Sequence, residues 1–193
     1  MNLKHDKIDI IAAGQQLFRA SGYHATGVQQ VLAACKISKG TFYNYFKSKE
    51  DFSIQVIQFY GEYMTNYITN SLIKESPSPI NRLKEMYAGL IAIAHKEECS
   101  KGCLVYNFSY EVAGQNKAIA NALDKQFNDW LDVIEKCIDA AKQAGEITSK
   151  KTARELAELI HASFNGAFGR VKMSRSTKEM ENSMHILFEL ITS

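Results

Sequence analysis

The chain has 193 residues, of which 46% are hydrophobic and 23% are charged, and its formal net charge is +2. These values are typical of a compact globular protein of one domain or slightly more, and they exclude disordered and fibrous classes. The two prolines, Pro77 and Pro79, stand close together, so nearly all of the sequence is without helix breakers. The composition therefore predicts an all-α protein.

Targeting signals and disulfides are not expected. The apolar runs, such as LIAIA at residues 90–94, are far shorter than the roughly 20 residues that span a bilayer. The N-terminal segment MNLKHDKIDI mixes charges of both signs and lacks the apolar stretch of a signal peptide. We therefore expect a cytoplasmic protein without a membrane span. The four cysteines, at positions 35, 99, 103 and 137, are too few and too scattered for a disulfide scaffold and should be free thiols.

The first predicted helix is amphipathic, and the second is short. Residues 4–20 form an amphipathic helix, with Ile8, Ile11 and Ala12 on one face, and Gly22 is predicted to end it. Residues 28–35 form a second helix, with Thr26 as its predicted N-cap.

The third predicted helix, from Lys39 to Phe46 with Ser38 as its cap, has two different faces. Phe42, Tyr45 and Phe46 recur at a spacing that suits burial, whereas the remaining side chains of the helix cannot all face the core. Two short helices joined by a turn of a few residues form the helix-turn-helix unit, whose second helix enters the DNA major groove. The sequence therefore predicts a surface on this helix that touches a polar partner.

Six further helices are predicted, which gives about nine in total and no strand. They cover a segment from just after Ser48 to about residue 74, then about 80–97, Cys103 to about Val112, about 116–143 with Gly145 as its end, 150–173 and 177–191.

The N-terminal motif carries a family resemblance. Gly22-Tyr23, Thr26 and the run VLAACKISKGTFYNYFKSKEDF resemble the DNA-binding region of the TetR/AcrR family of transcriptional repressors over about residues 5–55. The resemblance implies a helix-turn-helix DNA-binding domain at residues 1–48 and an effector-binding and dimerisation domain at residues 49–193. It also implies a homodimer, formed through the last two helices, that binds a palindromic operator in double-stranded DNA.

The resemblance assigns DNA contacts to eight residues, namely Thr26, Gly27, Lys39, Gly40, Thr41, Tyr43, Asn44 and Lys49. The first two would hold a phosphate at the start of the second helix, Lys49 would contact a phosphate, and the other five belong to the recognition helix. The charge distribution agrees with this assignment. Residues 1–52 hold seven Lys or Arg against four Asp or Glu, so the net positive charge lies in the N-terminal quarter.

A second motif, ECSKGCLVYNFSYEVA at residues 98–113, resembles a subgroup of the family in which the corresponding cysteine senses electrophiles. We expect Cys103 to lie in the first turn of a helix with Lys101 nearby, an environment that lowers the pKa of a thiol. The alternative is a packing thiol. Tyr106, Phe108, Trp130 and Phe164 can line an effector pocket, or they can fill an ordinary core.

The helix of residues 150–173 carries small side chains at Ala157, Ala162, Gly166 and Gly169. They suit the close helix packing of a two-fold dimer interface, and a hairpin within one chain is the alternative.

The sequence shows no nucleotide-binding loop, no hydrolase motif and no cluster of metal ligands, so we expect no enzyme activity, metal or cofactor. The prediction is a repressor released by a small-molecule effector or a thiol-reactive electrophile. The alternative is a helical ligand-binding protein without a DNA function.

Overall fold

A computed structural model describes residues 6–192, and every regular element within this range is helical, as predicted. The α-helices in the described range are α1 (Lys7–Ala25), α2 (Val28–Cys35), α3 (Lys39–Tyr45), α4 (Lys49–Leu72), α5 (Pro79–Lys96), α6 (Leu104–Phe108), α7 (Lys117–Gln143), α8 (Ala153–Ser174) and α9 (Lys178–Thr192). A π-helical turn, Ser109–Ala113, directly follows α6. No helix in residues 6–192 is both long and apolar enough to cross a membrane.

Local signals set most helix ends where the sequence predicts them. The Ser38 hydroxyl accepts a hydrogen bond from the Thr41 N–H at 3.0 Å, which caps α3 as predicted. Gly145, with φ +73°, follows α7 and adopts a left-handed conformation that favours glycine.

The N-terminal helix differs from its prediction at its C-terminal end. Its predicted start at residue 4 lies outside the described residues. Gly22, predicted to end the helix, instead forms a kink with φ +81° and ψ 177°, and α1 continues to Ala25. Thr26 is not the N-cap of α2, because Gly27 occupies that position. Thr26 is only 2% exposed, and its hydroxyl donates to the Leu17 carbonyl at 3.4 Å.

The chain divides into two compact units. The first comprises Met1–Tyr63 and Cys103–Phe127, and the second comprises Met64–Gly102 and Asn128–Ser193. The predicted domain boundary at residue 48 remains a prediction, because the first unit also contains the start of α4 and the segment around α6.

Aromatic rings fill the core of the first unit. Phe42, Phe46 and Phe52 pack with ring centroids 4.8 to 5.3 Å apart, and Phe18 and Phe108 meet edge to face at 5.0 Å. Such pairs each contribute about 0.5–1.5 kcal/mol beyond the burial of their area.

The core of the second unit forms where α5, α7, α8 and α9 supply aromatic side chains. Tyr87 packs on Phe164 at 5.0 Å and on Phe188 at 6.2 Å, and Trp130 meets the His161 ring edge to face at 5.8 Å. The Tyr87 hydroxyl lies 3.2 Å from His161 Nδ1.

Candidate nucleic-acid interface and sensor segment

One face of α3 is exposed and carries most of the predicted DNA-contacting residues. Lys39, Gly40, Tyr43 and Asn44 all lie on the surface, and Tyr43 is 45% exposed. Thr41 is half-buried, and its hydroxyl lies 3.0 Å from that of Ser38. The structure therefore brings together cationic, aromatic and amide groups that can bind phosphate and base edges.

The opposite face of α3 anchors the helix. Phe42 and Phe46 are fully buried, as their spacing predicts. Tyr45, predicted to be buried with them, is 37% exposed, so that expectation is wrong. Tyr45 is the last residue of α3, and its ring lies beside that of Phe46, with centroids 6.1 Å apart. Helical spacing predicts which side chains share a face, but the burial of a residue at the end of a helix also depends on what packs against it from other elements.

The remaining predicted DNA contacts lie in other environments. The Gly27 N–H donates to Gln30 Oε1 at 2.8 Å. Lys49 is half-buried, its Nζ donates to the Tyr23 carbonyl at 2.7 Å, and the ammonium lies 4.1 Å from the centre of the Tyr23 ring. Burial lowers the pKa of Lys49, and the charge of Glu111 partly opposes this shift. Lys49 thus fastens the start of α4 to the end of α1.

Cys103 is the N-cap residue of α6 rather than a first-turn residue, and it is partly buried. Burial raises the pKa of its thiol above the ordinary value, although backbone hydrogen bonds at Tyr106 and Val105, the Tyr60 hydroxyl and the Arg19 guanidinium act to lower it. The predicted lowering of the Cys103 pKa is therefore wrong. Desolvation of a thiolate outweighs the donors around the sulfur.

The contacts of two of these neighbours, Arg19 and Tyr60, with Cys103 were not predicted from the sequence. They lie on α1 and α4, and the guanidinium carbon of Arg19 is 5.8 Å from the centre of the Tyr60 ring. Both are far from Cys103 in the sequence, so no local pattern indicated them.

The other predicted effector residues occupy three environments. Tyr106 lies beside Phe127, with ring centroids 5.9 Å apart, and both line a cavity of about 290 Å³ between the α6 segment and α7. Phe108 instead packs against Phe18 and Tyr23, so it joins α6 to α1. Trp130 and Phe164 belong to the core of the second unit and are buried there.

Taken together, these observations define a class of protein. α2 and α3 are two short helices joined by a turn, and α3 has a buried aromatic face and an exposed polar face. This arrangement is a helix-turn-helix DNA-binding unit. Among residues 6–192, no three His, Cys, Asp or Glu side chains are grouped so that they could hold a metal ion.

Comparison with known proteins identifies the family. The family model for "Bacterial regulatory proteins, tetR family" matches residues 10–56. The family model for "Tetracyclin repressor-like, C-terminal domain" matches residues 79–187. The chain is 31% identical over 182 residues to the HTH-type transcriptional repressor DhaR of Mycobacterium sp. (strain GP1), covering 94% of this chain and 90% of DhaR. The chain therefore belongs to the TetR family of bacterial transcriptional regulators, as its motif predicts.

Further relatives agree with this membership. The HTH-type transcriptional repressor NemR of Escherichia coli (strain K12) is 24% identical over 182 residues, covering 94% of this chain and 92% of NemR. The crystal structure of reduced E. coli NemR shares the fold with a TM-score of 0.85, at 23% identity, over 95% of this chain and 96% of that one. The regulatory protein TetR from Rhodobacter sphaeroides gives a TM-score of 0.88, at 24% identity, over 93% and 95%. The matched families are transcriptional regulators, so the protein is a DNA-binding regulator and not an enzyme.

Proposed function

We propose that this regulator is a homodimeric repressor that binds a palindromic operator through α3. Release would follow when a small-molecule effector or a thiol-reactive electrophile acts on the segment Cys103–Phe127. The observation that carries the proposal is the exposed group Lys39, Gly40, Tyr43 and Asn44 above the buried Phe42. A rigid helix that presents such groups suits contact with both phosphates and base edges.

The exposed face of α8 and α9 supports the homodimer. Leu159, Met173, Ile186 and Leu190 are exposed apolar side chains on these two helices. Gly166 and Gly169 lie on the same side of α8 as Leu159 and Met173, and a Cβ added at either glycine would meet no atom within 4 Å. Apolar side chains and open space on neighbouring helices fit a second copy of the chain.

Dimerisation also has a geometric purpose. Two helix-turn-helix units related by a two-fold axis can read half-sites about 34 Å apart, one turn of DNA. An effector would weaken binding to the palindrome if it bound more tightly to a form of the dimer in which the two helix-turn-helix units are arranged differently.

Two routes of release remain, and the first unit supports both. The cavity of about 290 Å³ beside Tyr106 has mainly apolar walls, with Asp124 and Ser109 as polar groups, and could hold a small apolar effector. Alternatively, Cys103 could add to an electrophile, as the resemblance to the cysteine-sensing subgroup implies. Because its thiol pKa is raised, we expect this addition to be slow at neutral pH and faster as pH rises.

The test uses a DNA duplex selected by the wild-type protein from a random-sequence pool, with binding followed by fluorescence anisotropy. Wild type and Cys103→Ser are compared with and without N-ethylmaleimide. The Cys103 thiol would add across its carbon–carbon double bond, so that a carbon–sulfur bond forms, the π bond is lost and the neighbouring carbon takes up the proton. Both proteins should bind the duplex equally before treatment, because serine keeps the size and polarity of the side chain. A covalent switch predicts that only wild type is released, by about tenfold or more in affinity.

Other outcomes count against particular parts of the proposal. Release of both proteins would exclude Cys103 as the switch and direct attention to Cys35 in the helix-turn-helix. If neither protein is released, the covalent route fails and the reversible effector remains. If the wild-type protein selects no palindromic duplex, the operator proposal itself is wrong.

A further inference from the structure

The kink at Gly22 interrupts α1 immediately before the DNA-binding helices. Gly22 has φ +81° and ψ 177°, so the chain starts a new turn at Tyr23 within the same element. The first N–H groups of a helical turn have no acceptor within their own helix and require one from elsewhere. The corner Gly22–Thr26 therefore needs a partner that the sequence near it does not provide.

Glu111, from the π-helical turn after α6, supplies that partner. Its Oε2 accepts hydrogen bonds from the Tyr23 N–H at 2.7 Å and from the His24 N–H at 3.2 Å. The Glu111 backbone carbonyl lies 3.1 Å from His24 Nε2. One residue thus meets the corner through both its side chain and its main chain.

The approach is close enough that any side chain at position 22 would displace the Glu111 carboxylate. A Cβ built on Gly22 would lie 2.2 Å from Glu111 Oε1 and 2.8 Å from the carboxyl carbon. Glycine at this position therefore serves two purposes, since it tolerates the positive φ and leaves space for the carboxylate.

The same corner also holds the start of α4. Lys49 Nζ donates to the Tyr23 carbonyl and lies over the Tyr23 ring. The Phe108 ring, three residues before Glu111, packs edge to face against Phe18 and Tyr23. Asn116, which caps α7, donates to Glu50 in the first turn of α4. The segment Cys103–Asn116 is therefore tied to α1 and α4 at several points, with Glu111 at the centre.

We propose that Glu111 is a positioning residue for DNA binding. It holds the corner Gly22–Thr26, and through it the start of α2 and of α4, in the arrangement that presents α3 to DNA. It also passes any displacement of the segment Cys103–Ala113 to these helices. The second statement rests on the proposed function, because it needs an effector or a modification that acts on this segment.

Electrostatics makes the inference testable. Glu111 adds a negative charge to the DNA-binding unit, so replacing it removes repulsion toward phosphates and by charge alone would strengthen DNA binding. A weaker affinity in a Glu111 variant can therefore not come from altered repulsion of the phosphates. It would report the position of the helices.

The chain offers a matched control in Glu146. Its Oε2 accepts a hydrogen bond from the Ile80 N–H at 3.0 Å, at the start of α5 in the second unit. Glu146, like Glu111, is a carboxylate that caps a backbone N–H more than 60 residues away in the sequence. If Glu111 contributed only to stability, Glu111→Ala and Glu146→Ala should affect DNA binding similarly. If it positions the DNA-binding helices, only Glu111→Ala should weaken DNA binding.

The experiment measures affinity for the selected duplex and amide hydrogen exchange on wild type, Glu111→Ala, Glu111→Gln and Glu146→Ala. We expect Glu111→Ala to lose about tenfold or more in affinity, since hydrogen bonds to a charged acceptor are lost. Glu111→Gln, which keeps one oxygen acceptor, should lie between it and wild type. The Tyr23 and His24 amides should exchange faster in both Glu111 variants, and Glu146→Ala should keep wild-type affinity and wild-type exchange at these two amides.

Three results would overturn the inference. They are an affinity of Glu111→Ala within twofold of wild type, an equal affinity loss in Glu146→Ala, and unchanged exchange at Tyr23 and His24. The exchange measurement needs no DNA, so it separates failure of this inference from failure of the operator proposal.

Discussion

At the scale of single residues, Gly40 is a position where folding does not require glycine but DNA binding would. A Cβ added to Gly40 would meet only the Ser38 hydroxyl oxygen, at an ordinary contact distance of 3.6 Å. Nothing in the described part of the first unit therefore requires a glycine in this helix, where glycine is less favourable than alanine by about 0.8–1 kcal/mol. We infer that glycine stands at this position because it lets the α3 backbone approach DNA closely.

We therefore predict that Gly40→Ala is more stable than wild type by up to about 1 kcal/mol and binds the selected duplex several-fold more weakly. Urea unfolding and fluorescence anisotropy measure the two quantities. Gly114→Ala is the control, because Gly114 has an ordinary φ of −65° and open space around it. It should leave DNA affinity unchanged. Wild-type affinity in Gly40→Ala would show that the backbone does not approach DNA at this point.

At the scale of helices, the contact between α5 and α8 contains a buried histidine. Burial lowers the pKa of His161 to about 4, from an ordinary 6.5. The side chains packed on it from α5 and α7 include Tyr87 and Trp130, and neither carries a charge near neutral pH. The neutral form of His161 is thus part of the native packing.

This histidine should make the second unit sensitive to acid. Because its folded-state pKa is below the unfolded value, the unfolded chain binds the proton first as pH falls. The stabilisation is complete above about pH 6.5 and is lost between pH 6.5 and 4, up to roughly 3 kcal/mol. Urea unfolding at pH 7 and pH 5 should show a smaller pH dependence for His161→Gln than for wild type. His185→Gln, at an exposed histidine on α9, should keep the wild-type dependence, and equal behaviour of the two variants would contradict the assignment.

The sequence predicts helices well where the signals that form them are local. Ser38 caps α3 with its own hydroxyl, and Phe42 and Phe46 are buried at the predicted spacing. Predictions fail where a distant residue decides the outcome. The N–H groups exposed by the kink at Gly22 are bound by Glu111, and the raised pKa of Cys103 depends on burial beside α1 and α4. For the candidate site, the exposed face of α3 follows from helical periodicity. The positions of Thr26 and Lys49 could not be predicted, because their partners lie on other elements.

At the scale of the whole molecule, the proposed function depends on a second copy of the chain. A stable interface buries about 1,600 Å² in total and needs a central group of apolar side chains. The exposed residues Leu159, Ile186 and Leu190 on α8 and α9 provide such a group. Without dimerisation, one helix-turn-helix unit could contact only one half of a palindrome, and the affinity gained by linking two units would be lost.

A charge placed in this apolar face should therefore separate the copies. Leu190→Asp, at a side chain that is 68% exposed in the single chain, would bury an unpaired carboxylate in the dimer, which costs several kcal/mol. We predict that light scattering gives wild type twice the chain mass of 21.7 kDa and gives Leu190→Asp the mass of one chain, with weak binding to the palindrome. Ile73→Asp is the control, because Ile73 is 74% exposed and lies just beyond α4, away from α8 and α9 in the sequence. It should remain dimeric and bind normally. If Leu190→Asp keeps the dimer mass, the copies meet through another surface, and the two-fold spacing of the DNA-binding units must be derived from that surface instead.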